Sequence, residues 1–213
     1  MRICFNVLAM ELPTSPDDWA LYYQRTNKRP PRQLLLDALA FRQDEAPAQA
    51  IDLGAGAGNE TSYLLQLGWH VHAIDNEQSS LERLQERNKE QLSTRLTTEC
   101  ARFTTLTWPT PAPQLVMAFY ALPFQSAAEL ANSWNQIKNH IAPGGLFVGQ
   151  FFGDQDEWRE TKDMTFLPST AVKAMLNGWT IHHFKEVIDP HGTLASGETK
   201  HWHYYDVIAA KAV

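Results

Sequence analysis

The sequence predicts an α/β fold built on a parallel, doubly wound sheet. Apolar, strand-like runs alternate with helix-like stretches along the chain at the spacing of βαβ units. Residues 114–124, "QLVMAFYALPF", form an almost unbroken run of apolar residues, which is typical of a strand covered by helices on both faces. Residues 51–60, "IDLGAGAGNE", place a glycine turn between a strand and a helix, the corner at which such sheets bind ligands.

The first elements follow from helical spacing and from their end signals. Residues 31–41, "PRQLLLDALAF", predict a helix because prolines fit a first turn and the leucines recur on one face. Strand one ends in the glycine turn, and residues 59–68, "NETSYLLQLG", predict a helix with Asn59 near its N-cap. Residues 69–76, "WHVHAIDN", predict a short strand that ends at Asp75.

The alternation continues through the middle of the chain. We expect a helix over residues 79–92, capped by Ser79 or Ser80, and a third strand in "RFTTLTW", residues 102–108. The remaining predicted elements are strand four in residues 114–124, a helix over 127–141, the turn "APGG" at 142–145 and strand five over 146–152.

The C-terminal part differs from the rest because two long strand-like runs follow each other without a helix between them. Residues 169–176 predict a helix that Asn177 and Gly178 end. The runs "WTIHHFKEVID" (179–189) and "KHWHYYDVIAAKA" (200–212) are joined by a connection of hairpin length. They therefore predict an antiparallel pair at the edge of the sheet.

Composition limits the class of protein and of partner. A chain of 213 residues is long enough for one well-buried domain, which we expect over residues 19–213, behind an N-terminal extension over residues 1–18 whose order is left open. The formal charge of −6 without a basic stripe disfavours nucleic acid. Cys4 and Cys100 lack metal-binding spacing, and no run approaches the ~20 apolar residues of a membrane span, so we expect a cytoplasmic protein without membrane contact.

Two carboxylates accompany the glycine turn. Gly54, Gly56 and Gly58 allow a tight turn whose N–H groups approach a ligand closely. Asp52 precedes the turn, and Asp75 lies one βαβ step later, where a carboxylate can accept both hydroxyls of a ribose. The sequence therefore predicts a nucleoside-containing ligand.

Charge separates two cofactor classes at this turn. A nicotinamide dinucleotide would bring a pyrophosphate near an ionised Asp52, and at about 5 Å the repulsion is roughly 3 kcal/mol per charge. S-adenosylmethionine has no phosphate and instead brings a sulfonium and an ammonium, which a carboxylate favours. The spacing also departs from the dinucleotide pattern GxGxxG, which would require glycine in place of Asn59.

The chain resembles the class I S-adenosylmethionine-dependent methyltransferases, and more loosely their small tellurite-resistance-like members. The resemblance is carried by "IDLGAGAG", by "VHAID", by "LVMAFYALPF" and by the turn in "IAPGGLFVGQF". It implies a Rossmann-like sheet of strand order 3-2-1-4-5-7-6 with strand 7 antiparallel. It also implies S-adenosylmethionine as the cofactor.

The resemblance implies a role for each matching residue. Asp52, Gly54, Ala55 and Gly56 line the amino-acid end of the cofactor, Asp75 binds the ribose and Asn76 the adenine edge. Tyr22, Tyr23 and Arg25 are candidates to cover the cofactor or to reach its carboxylate, and Phe119 and Tyr120 face the methyl group.

Two positions depart from the pattern of many relatives. Arg102 stands near the point where they have an acid that binds the adenine amino group, so this contact passes to backbone and to Phe103. Gln114 stands where they begin strand four with Asp. Both departures concern the adenine end of the site.

The sequence excludes some classes of methyl acceptor better than it identifies the acceptor itself. "FYALPF" after strand four differs from the [DN]PP[YF] with which relatives hold an exocyclic amine, which disfavours DNA bases. We expect a small molecule, whether a metabolite, a thiol or a chalcogen oxyanion, with Tyr120 and Tyr22 as weak catalytic candidates and the oligomeric state open. The alternatives are a protein that binds the cofactor without turnover and, third, an NAD(P)-dependent oxidoreductase.

Two further features have competing interpretations. His201 and His203 share one face of a strand at a spacing that can bind metal, but we expect no metal and two solvent-facing side chains. The acidic stretch 153–163 after strand five is either a lid anchored by Trp158 or a solvated connection.

Overall fold

The fold is an eight-stranded mixed sheet with helices on both faces. The computed structural model describes residues 26, 29–42, 46–92, 94–161, 163–194 and 197–212, so the predicted extension over 1–18 lies outside the described part. The strands are β1 Gln49–Leu53, β2 His70–Asp75, β3 Leu96–Cys100, β4 Leu115–Ala118, β5 Leu146–Gly153, β6 Phe166–Leu167, β7 Trp179–Thr193 and β8 Thr199–Lys211. The helices are α1 Gln33–Ala40, α2 Asn59–Gln66, α3 Gln78–Arg87, α4 Ala127–His140 and α5 Ser169–Met175.

The strand order is β3-β2-β1-β4-β5-β8-β7, with the two-residue β6 beside β5. Strands β1 to β5 are parallel, whereas β8 is antiparallel to both β5 and β7. Without the short β6, this order is the predicted 3-2-1-4-5-7-6 with an antiparallel strand 7. The fold class, and the antiparallel pair at the edge, are therefore confirmed.

Two hydrophobic clusters cover the two faces of the sheet. One holds side chains of α1, α2 and α3 against the central strands, among them Leu35, Leu64 and Leu84. The other holds α4 and α5, and Trp134 of α4 packs edge-on against Phe147 of β5 at a ring distance of 4.9 Å. Burial on both faces explains why β4 and β5 are apolar at almost every position.

The predicted third strand over residues 102–108 is wrong. The strand is β3, which pairs with β2 from Val71↔Leu96 to Asp75↔Cys100. Residues 102–105 form a turn instead, and Thr107 donates its backbone N–H to the side chain of Glu99 at 3.0 Å. Only Leu96 of β3 is buried, so this strand has almost no apolar pattern by which to recognise it.

Two predicted helix caps also differ from the structure. The N-cap of α3 is Glu77, and Ser80 lies inside the first turn, where its hydroxyl donates to the Glu77 carbonyl at 2.8 Å. The N-cap of α2 is Gly58 in a left-handed conformation, so Asn59 is the first helical residue. Among the described helices, none is long and apolar enough to cross a membrane.

Candidate functional site

The backbone conformation of the glycine turn leaves little room for side chains at its glycine positions. Gly54, Gly56 and Gly58 all have positive φ, at 75°, 51° and 70°. A Cβ on Gly54 would lie 2.6 Å from the Cβ of Ala121, which belongs to the segment after β4. The N–H groups of Gly54 and Ala55 both donate to the Ile74 carbonyl, which fixes the turn to β2. The turn thus adjoins both β2 and the segment after β4.

Asp75 ends β2 beside this turn, as its spacing from Asp52 predicts. Its Oδ2 accepts the Gly56 N–H at 2.8 Å and its Oδ1 accepts the Glu77 N–H at 2.9 Å. Burial raises the pKa of Asp75, and these backbone hydrogen bonds oppose the rise. The glycine turn and the carboxylate of the second strand therefore form one unit.

Asp52 lies behind the turn, 3% exposed, and its Oδ2 accepts the Thr61 hydroxyl at 2.6 Å. Its pKa is raised to about 7, mainly by burial; the Thr61 hydrogen bond and the Arg29 charge oppose the rise, and the nearby Glu60 and Asp75 contribute to it. Such a carboxyl can take up a proton near neutral pH. The repulsion of a pyrophosphate by Asp52 is therefore smaller than the sequence argument assumed, because protonation would relieve it.

A buried acid and two arginines, which the sequence analysis missed, lie on the other side of the turn. Glu60 at the start of α2 is 4% exposed and binds the Arg29 guanidinium through both oxygens, at 2.6 and 2.9 Å. It also accepts the backbone N–H of Arg32 at 3.1 Å. The signal in the sequence was "RPPR" ahead of a helix, with an acid at the first turn after the glycines.

The Arg32 side chain is held in place with one of its hydrogen-bond donors, Nε, unused among the described residues. Its guanidinium carbon lies 4.7 Å from the centre of the Tyr120 ring, and its Nε is 3.8 Å from Glu60 Oε1. That Nε is buried and has no hydrogen-bond partner among the described residues. A guanidinium so placed can receive a carboxylate.

Phe119 and Tyr120, the two residues that follow β4, have different surroundings. Phe119 is buried in the cluster that contains α1 and α2. Tyr120 has a positive φ of 51°, and its N–H donates to Gln150 Oε1 at 3.2 Å. Burial, together with the hydroxyl of Tyr204, raises the pKa of Tyr120 well above its usual value. Its phenol therefore stays protonated at neutral pH, which makes it a poor general base.

The remaining predicted site residues are only partly brought to the turn. Phe103 is half-buried, and its Cζ lies 3.5 Å from the point where a Gly54 Cβ would be. Asn76 is exposed next to Asp75. Arg102 pairs with Glu129 of α4 at 3.0 Å. Tyr22, Tyr23 and Arg25 lie outside the described residues.

The acidic segment after β5 is fastened to β8. Buried Asp156 pairs with buried Lys200, and its other oxygen accepts the His203 N–H at 3.0 Å. The N–H of Gln155 donates to His203 Nδ1, also at 3.0 Å, and Trp158 is buried as the predicted apolar anchor. The segment is thus joined to the sheet by buried polar contacts, unlike a solvated connection.

The expectation that His201 and His203 face solvent is wrong for His203, which is fully buried. The reason is that β8 lies between β5 and β7, so it is an inner strand and not the edge. His203 Nε2 lies 2.9 Å from Glu186 Oε1 of β7. Within the parts of the chain that the structure describes, no three side chains of His, Cys, Asp or Glu are grouped to hold a metal ion.

Comparison with known proteins adds to this geometry. A family model described as "Methyltransferase domain" matches residues 50–145, from β1 to the turn before β5, and so includes the glycine turn and Asp75. Residues 50–145 thus match a methyltransferase domain, and the fold around them is that of the class I S-adenosylmethionine-dependent methyltransferases. The resemblance seen in the sequence is therefore confirmed, and S-adenosylmethionine is the cofactor.

Solved methyltransferase structures share the fold of this methyltransferase at low sequence identity. TehB from Haemophilus influenzae is 19% identical with a TM-score of 0.69, and the match covers 84% of this chain but only 61% of TehB. NodS from Bradyrhizobium japonicum, an N-methyltransferase solved with S-adenosylhomocysteine, is 14% identical (TM-score 0.65; 90% of this chain, 98% of NodS). The methyltransferase solved with the Trm112 activator of Haloferax volcanii is 16% identical (TM-score 0.71; 95% and 98%). No curated protein sequence matches the chain significantly.

Proposed function

We propose that this methyltransferase transfers its methyl group to a small molecule, and that the glycine turn with its two buried acids holds the cofactor. The observation that carries the proposal is the direct bond between Asp75 and the Gly56 N–H, with buried Asp52 behind them. An acid at the end of β2 suits the two ribose hydroxyls of an adenosyl group. When bound, S-adenosylmethionine supplies a methyl group activated by positive sulfur.

The charges around the turn fit the amino-acid end of that cofactor. Asp52 forms no ion pair among the described residues, since the nearby Arg29 guanidinium binds Glu60. A ligand that brings a sulfonium and an ammonium supplies the missing positive charge. The Arg32 guanidinium, whose Nε has no hydrogen-bond partner among the described residues, suits the carboxylate of this ligand, for which the sequence had offered Tyr22, Tyr23 and Arg25. Asp52, Asp75 and Arg32 would thus bind three chemically different parts of one ligand.

The acceptor side supports catalysis by position more than by proton transfer. Tyr120 and Phe119 follow β4 next to the glycine turn, which supports a role for them where an acceptor would meet the methyl group. Because the Tyr120 phenol stays protonated, it would orient an acceptor by donating a hydrogen bond. This arrangement suits a nucleophile that carries a free lone pair at neutral pH.

The Asp75→Ala variant tests the placement of the cofactor. Loss of the charged hydrogen bonds to the ribose should weaken binding of S-adenosylhomocysteine by about 1–3 kcal/mol, or roughly 5-fold to 150-fold, in calorimetry. Asp189→Ala, an exposed acid on β7, is the control and should bind like the parent. Unchanged binding by Asp75→Ala would mean that the site is elsewhere.

Acceptor-dependent release of S-adenosylhomocysteine separates an enzyme from a non-catalytic binder. A panel of small amines, thiols and oxyanions, each mixed with the protein and S-adenosylmethionine, should contain at least one that drives this release. Binding without release across the panel would favour the binder. NAD(P) should leave the thermal midpoint unchanged, whereas S-adenosylhomocysteine at about 100 times its dissociation constant should add roughly 2.7 kcal/mol of stability.

A further inference from the structure

Aromatic side chains gather on the acceptor side of the glycine turn. Five of them form a continuous surface, which we call the aromatic wall: Tyr120, Phe152, Trp158, Trp202 and Tyr204. The Tyr120 ring lies 5.5 Å from Tyr204 and 5.8 Å from Trp202, centre to centre. Tyr120 comes from the segment after β4, Phe152 and Trp158 come from the end of β5 and the segment that continues it, and Trp202 and Tyr204 come from β8. Three separate parts of the chain thus converge at one place.

The wall has a buried back and a partly open front. Phe152 and Trp158 are 1% and 7% exposed, and each lies within 6.3 Å of the Trp202 ring. Tyr120, Trp202 and Tyr204 in front are half-buried, so part of each ring remains accessible. Fixed rings supply apolar contact area at a low cost in conformational entropy.

The wall adjoins the proposed cofactor site directly. Ala121, which follows Tyr120, packs against the glycine turn at Gly54. Arg32 connects the two regions from the other side, because its backbone N–H binds Glu60 while its guanidinium covers Tyr120. A molecule resting on the front rings would therefore lie beside the cofactor's methyl end.

The charges already at the wall discriminate between classes of ligand. The ammonium of Lys200 lies 3.9 Å from the centre of the Trp202 ring and pairs with Asp156. The guanidinium of Arg32 lies 4.7 Å from the centre of the Tyr120 ring. Two of the three front rings thus already hold a protein cation, and a cationic ligand would meet like charge there. A neutral aromatic ring would not.

We propose that the aromatic wall is the acceptor subsite and that it takes a neutral, planar aromatic acceptor, which stacks on Tyr204 and meets the rings of Tyr120 and Trp202 edge-on, because these lie at 70° and 89° to the Tyr204 ring. This inference rests on the proposed function, since it names the acceptor class for the same site.

Three probes of similar size test the inference on the full chain saturated with S-adenosylhomocysteine: 2-naphthol, decahydro-2-naphthol and cyclohexyltrimethylammonium. If rings stack, 2-naphthol should bind about threefold to tenfold more tightly than decahydro-2-naphthol, although the saturated alcohol is more apolar. Calorimetry gives the affinities. Tighter binding of the saturated alcohol, or of the cation, would overturn the inference.

Variants at Tyr204 locate the effect on the wall. Tyr204→Leu should remove most of the preference for 2-naphthol, whereas Tyr204→Phe keeps the ring and should retain it. Phe41→Leu, an exposed aromatic residue outside the wall, is the control. An equal loss in Tyr204→Phe would contradict stacking.

Binding of S-adenosylhomocysteine itself keeps the two proposals apart. If the parent binds S-adenosylhomocysteine but does not prefer 2-naphthol, the aromatic acceptor fails and the cofactor site stands. If S-adenosylhomocysteine does not bind at all, the proposed function fails first.

Discussion

Asp52 and Asp156 are equally buried carboxylates with opposite surroundings. Asp156 is paired with Lys200 and accepts the backbone N–H groups of Trp158 and His203 at 3.0 Å each. Asp52 accepts the hydroxyl of Thr61 and lies near two more acids, Glu60 and Asp75. One carboxylate is thus neutralised by an ion pair, whereas the other has no ion-pair partner in the part of the chain that the structure describes.

The difference shows what each carboxylate does. A buried charge without a partner is unfavourable, and it persists where a ligand supplies the partner or where a proton is taken up. The pKa of Asp52, about 7, reflects that condition in the ligand-free protein. Asp156 instead joins the segment after β5 to β8, which holds the back of the aromatic wall in place. Burial alone therefore does not identify a ligand site, whereas burial without an internal counter-ion does.

Breaking the Asp156 pair should have the largest effect. Asp156→Leu would leave the Lys200 ammonium buried and unpaired, which typically lowers the free energy of unfolding by about 3–5 kcal/mol. Urea unfolding measures the loss. The double variant Asp156→Leu with Lys200→Met removes both charges and should recover part of it.

A control variant makes this result interpretable. Glu160→Ala, an exposed acid in the same segment with 86% of its side chain accessible, should change stability by less than about 0.5 kcal/mol. If Asp156→Leu were as stable as Glu160→Ala, the pair would not be the counter-ion arrangement described above.

The sequence predicted the centre of this fold better than its edges. The glycine turn, Asp75 and the apolar strand β4 have strong local signals in the sequence. Each of them depends either on local backbone geometry or on the burial of both faces of a strand. β3 was misplaced because a half-exposed strand of Thr and Glu has little pattern. The order of the last strands came from the family resemblance.

The missed parts of the site depend on contacts far apart in the chain. Glu60 and Arg29 are 31 residues apart, and Asp156 and Lys200 are 44 apart, so no local spacing links them. His203 was placed in solvent because its two-residue spacing from His201 was interpreted as that of an edge strand, although the strand order implied by the resemblance already puts β8 inside the sheet. The ligand chemistry of Asp52 was predicted, but its raised pKa depends on the complete burial that only the folded chain provides.

Titration of Asp52 should make cofactor binding pH-dependent. Its pKa of about 7 in the free protein should fall when a sulfonium and an ammonium bind, so binding releases a proton below pH 7. Affinity for S-adenosylmethionine should therefore rise about tenfold from pH 6 to pH 8 and level off above it. Calorimetry at several pH values measures the profile.

The same shift has a defined sign for the free protein. The folded pKa lies above the unfolded value of 3.8, so the folded state holds its proton more tightly. The stabilisation from that proton is complete at low pH and is lost as the pH rises from about 4 to about 7. Asp52→Asn should flatten both profiles, and a persistent rise in affinity in Asp52→Asn would assign the proton to another group.

The smallest effect should come from Thr61, whose hydroxyl is the hydrogen-bond donor to Asp52. Thr61→Val keeps the side-chain shape but removes a bond that favours the charged carboxylate, worth about 0.5–1.5 kcal/mol. The pKa of Asp52 should therefore rise, and the midpoint of the affinity profile should move up by roughly one pH unit or less. Thr180→Val, on exposed β7, should leave the midpoint in place. A downward shift in Thr61→Val would show that the hydroxyl stabilises the protonated acid, and that Asp52, like Asp156, already has its charge compensated within the protein.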